Sequence, residues 1–263
     1  MQIIDITKQS IEKSNEEYFH ENKNLFEHYF KYWADKKTFK IKQTEKEIYE
    51  NKSLIVAELK RIENSFELAG LPLSNSKIIL FVGQGTTNGH SFKDNDEFIT
   101  WIPIELYSTK SSIDVFIPHE IIHTLHYTKN PDFYFNDIYE KNDSIRLLIT
   151  EGIATYITKV IFKLSDKDAL WADFMNESTF KEWEDECLKN IDLMSQTINS
   201  NKENIFETNE NILSYKNRGG YYLGLKIITN LCEQENITLD ELLNTPRIIM
   251  IDKIMKVCGE DRI

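Results

Sequence analysis

The chain has 263 residues, of which 41% are hydrophobic and 12% aromatic, enough to fill a packed core and too many for a disordered chain. Its 43 acidic residues outnumber 31 basic ones, and a net charge of -12 argues against nucleic-acid or anionic-membrane binding, which needs clustered Lys and Arg. Cys187, Cys232 and Cys258 form no Cys-x-x-Cys pair and are odd in number, which argues against a disulfide framework or a thiolate metal site and for incidental buried thiols. The first residues, Met1 to Lys8, lack a basic segment followed by an apolar one. No apolar stretch reaches membrane-spanning length either. The expected setting is cytoplasmic, with no membrane partner.

From about residue 8 to 70, apolar positions recur with helical spacing. Tyr18, Phe19, Leu25, Phe26, Tyr29, Phe30 and Trp33 make one group. Ile48, Ile55, Leu59, Ile62 and Phe66 make a second, closed by Gly70-Leu71-Pro72. His20 and His28 lie here among aromatics and read as packing or surface residues. Lys77 to Val82 is a β-branched apolar run stopped by Gly83 and Gly85, the pattern of a buried strand. A second strand is expected within Thr86 to Phe92, a turn at Lys93 to Asp96, and a third strand over Phe98 to Ile104, with Pro103 at an edge or end. Strands are expected nowhere else.

Pro118-His119-Glu120-Ile121-Ile122-His123 comes directly after, inside an apolar run from Val115 to Leu125. On a helix, His119 and His123 project from one face, a turn apart, and can close on a single metal ion. Glu120 leans over the same point, placed to take a proton from a water there. Pro118 either starts this helix or kinks a longer one, and the histidine pair lies after it in both cases.

A hydrolytic zinc site takes three protein ligands and leaves one position open. Residues 145 to 161 carry helical apolar spacing, and Glu151 sits in their midst, in Thr150-Glu151-Gly152-Ile153-Ala154. A lone buried carboxylate is costly, so it calls for a cation. The small Gly152 and Ala154 would let this helix approach the one bearing His119 and His123. His126 is a rival third ligand on the same face, but it stands about 10 Å of helix rise beyond His119 and cannot share its ion. It reads as support or packing. Residues 165 to 212 are acidic and helical with loops, anchored by Trp171, Phe174, Phe180 and Trp183. Arg218-Gly219-Gly220-Tyr221-Tyr222-Leu223-Gly224 opens a helix to about Cys232. Thr238 caps a short helix, and Pro246 interrupts the chain beyond it.

With these residues in view, HExxH followed by a Glu on a later helix resembles the gluzincin, or thermolysin-type, metallopeptidases. The order His119-Glu120-Ile121-Ile122-His123, Glu151-Gly152-Ile153-Ala154 and Gly220-Tyr221-Tyr222-Leu223-Gly224 more closely resembles a bacterial family of predicted zinc-dependent proteases with HExxH, EGxA and GYxxG segments. The likeness spans residues 77 to 232. It implies Zn2+ as cofactor, His119, His123 and Glu151 as its ligands, and Glu120 as general base and then proton donor. It also implies Tyr221 as hydrogen-bond donor to the developing oxyanion, with Tyr222 as the alternative. Arg218 is a candidate for binding a carboxyl group, and His90, in Thr86 to His90, for touching substrate.

The expected fold is α+β and mainly helical, with a small mixed or antiparallel sheet before the HExxH helix and a helical C-terminal part, the zincin-like arrangement. Residues 1–75 would be an N-terminal helical region and 76–263 the peptidase domain with a helical C-terminal subdomain, the whole expected as one compact unit. The expected partner is a peptide or protein substrate. A catalytically silent protein of the same fold, kept for binding or regulation, is the alternative.

Overall fold

The computed structural model describes residues 1–201 and 203–260, and of residues 257–260 only their place in the last helix. The reading of Cys258 as a buried thiol therefore lies outside the described side chains, whereas Cys187 and Cys232 are buried and free. The fold is α+β and mainly helical, as expected, and the chain forms two compact units, Met1–Thr128 and Lys129 onward.

The first unit contains β1 (Gln2–Asp5), α1 (Gln9–Glu12), α2 (Asn15–Glu21), α3 (Lys23–Tyr32), α4 (Glu45–Leu68), β2 (Lys77–Phe81), β3 (His90–Asp94), β4 (Glu97–Pro103) and α5 (Lys110–Lys129). Its helices start where the sequence supplies caps. The Ser14 hydroxyl accepts from Glu17 N while the Glu17 carboxylate accepts from Ser14 N, and Thr44 and Glu47 repeat this reciprocal box at the head of α4. Ile48, Ile55, Leu59, Ile62 and Phe66 then form the buried stripe of α4.

The sheet has the order β1-β2-β4-β3. β1 and β4 run parallel to β2, and β3 closes the edge antiparallel to β4. β1 is the strand that sequence patterning misses. It is four residues long and mostly exposed, and its identity rests on pairing Ile3 with Ile78, far away in the chain. β3 begins at His90 rather than Thr86, and Asn95, at φ 56°, makes the turn into β4. One sheet face presents Ile79, Phe81, Phe92, Ile99 and Trp101 to Tyr18, Phe19, Phe26 and Tyr29 of α2 and α3. Tyr29 stands edge-on to Trp101 at 5.6 Å and to Phe81 at 5.3 Å. Such aromatic pairs add roughly 0.5–1.5 kcal/mol each beyond the area they bury. Alternation turns Thr100 to the opposite face, where its hydroxyl meets that of Thr124 on α5 at 2.6 Å.

The second unit is helical: α6 (Ile138–Lys141), α7 (Ser144–Phe162), α8 (Asp166–Trp171), α9 (Glu177–Lys189), α10 (Ile191–Ser200), α11 (Gly219–Glu235), α12 (Leu239–Asn244) and α13 (Arg247–Glu260). Asp143 caps α7 by accepting from Arg146 N at 2.6 Å. The Arg146 guanidinium is buried and donates to the carbonyls of Glu140, Lys141 and Phe133, which fixes the approach to the helix. α7 packs most closely on α11 through glycines: a β-carbon at Gly152 would lie 2.8 Å from the Gly224 carbonyl carbon. The close approach that Gly152 permits is to α11. Among the described residues no helix is long and apolar enough to cross a membrane.

Candidate metal centre

α5 is one continuous helix with Pro118 inside it. Thr109 starts it, its hydroxyl accepting from Ser112 N at 3.1 Å. Proline removes the N–H that would bond the Asp114 carbonyl, so the helix spends its one missing bond just before the motif. From Val115 to Thr124 every residue is buried, including His119, Glu120 and His123. Buried polar groups on an apolar helix are costly unless they are hydrogen-bonded, paired or coordinate a metal.

The one-turn spacing sets the two imidazole centroids 4.8 Å apart, with their Nε2 atoms 3.1 Å from each other. Two nitrogens at tetrahedral angle on a zinc ion, with bonds of about 2.0–2.1 Å, stand about 3.3 Å apart. The pair is therefore already spaced for a shared ion. Among the described residues, one group of donors is close enough to hold a metal: a ring nitrogen of His119, one of His123 and a carboxylate oxygen of Glu151, all within 4.8 Å of one another and all buried. Two imidazoles and one carboxylate are a hydrolytic zinc donor set with room for a fourth, exchangeable position. The residues fit the ion. His126, fully buried, is not part of the group and stacks on Tyr127 instead.

Glu120 follows His119 directly, so its side chain leaves the helix on the neighbouring flank. Its Oε2 lies 3.9 Å from Nδ1 of His90, the first residue of β3. Tyr107, also buried, feels the negative charge of Glu120, and burial together with that charge holds its phenol well above the usual range. Sequence reasoning named His90 only as a possible substrate contact. It gave no hint that Trp33, read as a helix-packing residue, stands 4.6 Å from the His90 ring.

In the second unit, α11 follows a loop held by Asn217, whose Oδ1 accepts from Asn209 N and whose Nδ2 donates to the Ile212 carbonyl. Arg218, the next residue, sits in the left-handed region at φ 61°. Its guanidinium lies between the Trp171 ring at 5.0 Å and the Tyr221 ring at 4.6 Å. Burial pulls its pKa below the usual value, while the phenol of Tyr221 and the carboxylate of Glu151 hold it up in part. Tyr221 and Glu151 are thus the electrostatic neighbours of one guanidinium. Tyr222 points elsewhere. It is fully buried, edge-on to Trp183 at 5.6 Å, with its hydroxyl 3.4 Å from Glu184, and burial and that carboxylate raise its pKa.

A model of the family described as predicted Zn-dependent protease (DUF2268) matches residues 33–252. No curated protein and no solved structure matches the chain significantly. The matched stretch takes in the HExxH helix, Glu151 with Gly152, and the Gly-Tyr-Tyr segment that opens α11. The chain belongs to this family of predicted Zn-dependent proteases.

Proposed function

We propose that the protein hydrolyses peptide bonds with a zinc ion held by His119, His123 and Glu151. The observation that carries this reading is the close grouping of those three donors beside a buried glutamate that none of the ligation requires. When bound, zinc supplies a Lewis acid that polarises a peptide carbonyl and makes a water more acidic. Glu120 takes the proton of that water and then delivers it to the leaving amine, so that one carboxylate serves as base and acid in turn. Tyr221 donates its hydroxyl to the carbonyl oxygen as negative charge develops there, and the neighbouring Arg218 cation favours the same charge. β3 is an edge strand, and an extended peptide pairs along it with its scissile bond brought toward Glu120. Placement in the cytoplasm remains part of this proposal.

The test is cleavage of a mixed peptide library by the zinc-loaded protein, with products read by mass spectrometry. Wild type is expected to cut, and Glu120→Gln to keep one zinc per chain while losing cleavage. A wild-type protein that binds zinc stoichiometrically and leaves every peptide intact would refute hydrolysis and favour a binding role for the same fold.

A further inference from the structure

Two consecutive residues close on Glu120, Gly89 at the end of the connection between β2 and β3 and His90 at the start of β3. Gly89 holds φ 147°, a conformation that side chains disfavour, and the space beside it is taken. A β-carbon there would stand 2.8 Å from the Trp101 carbonyl oxygen and 3.1 Å from Cγ of Glu120. The glycine backbone therefore lies against the stem of Glu120. The next residue, His90, brings Nδ1 to 3.9 Å from the carboxylate head.

Both residues are themselves held. The Tyr107 hydroxyl donates to the Asn88 carbonyl, and the Thr87 hydroxyl donates to the Gly89 carbonyl at 3.1 Å. Upstream, the Glu105 carboxylate accepts from Gly83 N at 3.0 Å and Gly85 N at 2.8 Å. The His90 ring packs on Trp33 at 4.6 Å and stacks with His28 at 6.4 Å. A ring walled in this way has little freedom to turn from Glu120.

We infer that His90 is a positioning residue for Glu120: its Nδ1–H orients the carboxylate while the Gly89 backbone confines the side-chain stem. The inference rests on the reading of Glu120 as general base. A glutamate has three rotatable side-chain bonds, and most of its rotamers aim the carboxylate away from a reacting water. A well-placed general base contributes roughly 10²–10⁴-fold, and a misplacement of about 1 Å costs roughly 10²-fold. The gap of 3.9 Å is about 1 Å longer than a hydrogen bond. A small turn of the carboxylate closes it. The role requires the tautomer with hydrogen on Nδ1.

Steady-state cleavage by zinc-loaded His90→Ala and His90→Asn tests this, together with the ring nitrogen resonances of His90 in metal-free wild type and Glu120→Leu. With one zinc per chain in every variant, His90→Ala should lower kcat roughly 10²-fold at unchanged KM. His90→Asn, whose amide N–H takes the place of Nδ1–H, should recover most of the loss. The His90 ring should carry its proton on Nδ1 in wild type and lose that preference in Glu120→Leu. Equal kcat in wild type and His90→Ala, equal losses in the two His90 variants, or a ring tautomer indifferent to Glu120→Leu would each overturn the assignment. The ring measurement needs no turnover. If wild type cleaves nothing, hydrolysis is refuted while the tautomer still decides whether His90 addresses Glu120.

Discussion

Gly152 and Gly224 meet backbone to backbone: a β-carbon on Gly224 would lie 2.8 Å from the Leu148 carbonyl oxygen and 3.0 Å from Cα of Gly152. Glu151 precedes one of these glycines, and the Tyr221–Tyr222 pair opens the helix that carries the other. The two short segments are therefore two sides of a single helix crossing. Gly152→Ala and Gly224→Ala should each destabilise the protein by about 1–3 kcal/mol, because the atom met is backbone and cannot turn aside. α7 must shift to admit the methyl group, so zinc affinity should fall in parallel. Urea unfolding and competitive zinc titration measure the two effects, and a fully stable Gly152→Ala protein would contradict the crossing.

Glu151→Ala and His123→Ala should each abolish stoichiometric zinc, read by elemental analysis of dialysed protein. Ligand binding to the folded state alone stabilises it by about 2.7 kcal/mol at a free concentration of 100 Kd. Zinc should accordingly raise the melting temperature of wild type and chelator should reverse the gain. Neither variant should respond to either addition.

The two adjacent tyrosines should separate by readout. Tyr221→Phe should lower kcat roughly 10²–10³-fold, the usual loss for an oxyanion donor, with the thermal midpoint little changed. Tyr222→Phe gives up only a long contact of 3.4 Å to Glu184 and keeps its ring on Trp183, so kcat should stay near wild type. The reverse pattern would transfer the role to Tyr222.

His28 gives a pH signature. Burial, with Lys31 nearby, lowers its pKa to about 3. The unfolded chain takes up a proton near pH 6.5 and the folded chain does not. Stability from this residue is thus fully present above about pH 6.5 and falls by about 1.4 kcal/mol per unit as pH drops toward 3. Denaturant unfolding between pH 7 and 5, compared with His28→Phe, should show a shallower acid slope in the variant.

The candidate metal site was legible because its parts are local. His119, Glu120 and His123 depend only on helical spacing, and Glu151 betrays itself as a carboxylate in the middle of an apolar helix. The helices were legible through their apolar period and their caps, Ser14, Thr44 and Thr238 among them. What stayed hidden depends on distant pairing. β1 is a strand because Gln2–Asp5 lies beside Lys77–Leu80, and its own four residues carry almost no pattern. Gly152 announced a close neighbour but not which one. Gly89 and His90 reach Glu120, and Trp33 reaches His90, only once the sheet has formed.

The family match begins at Trp33, yet Tyr18, Phe19, Phe26 and Tyr29 cover the aromatic face of the sheet. A fragment trimmed to that boundary would leave Phe81 and Trp101 open to water, together with the rim of β2 from which Gln2–Asp5 had been cut. Bare aromatic surface beside an unpaired strand is the recipe for insoluble product. Shortened versions prepared for crystallisation or screening should therefore retain the chain from its first strand onward.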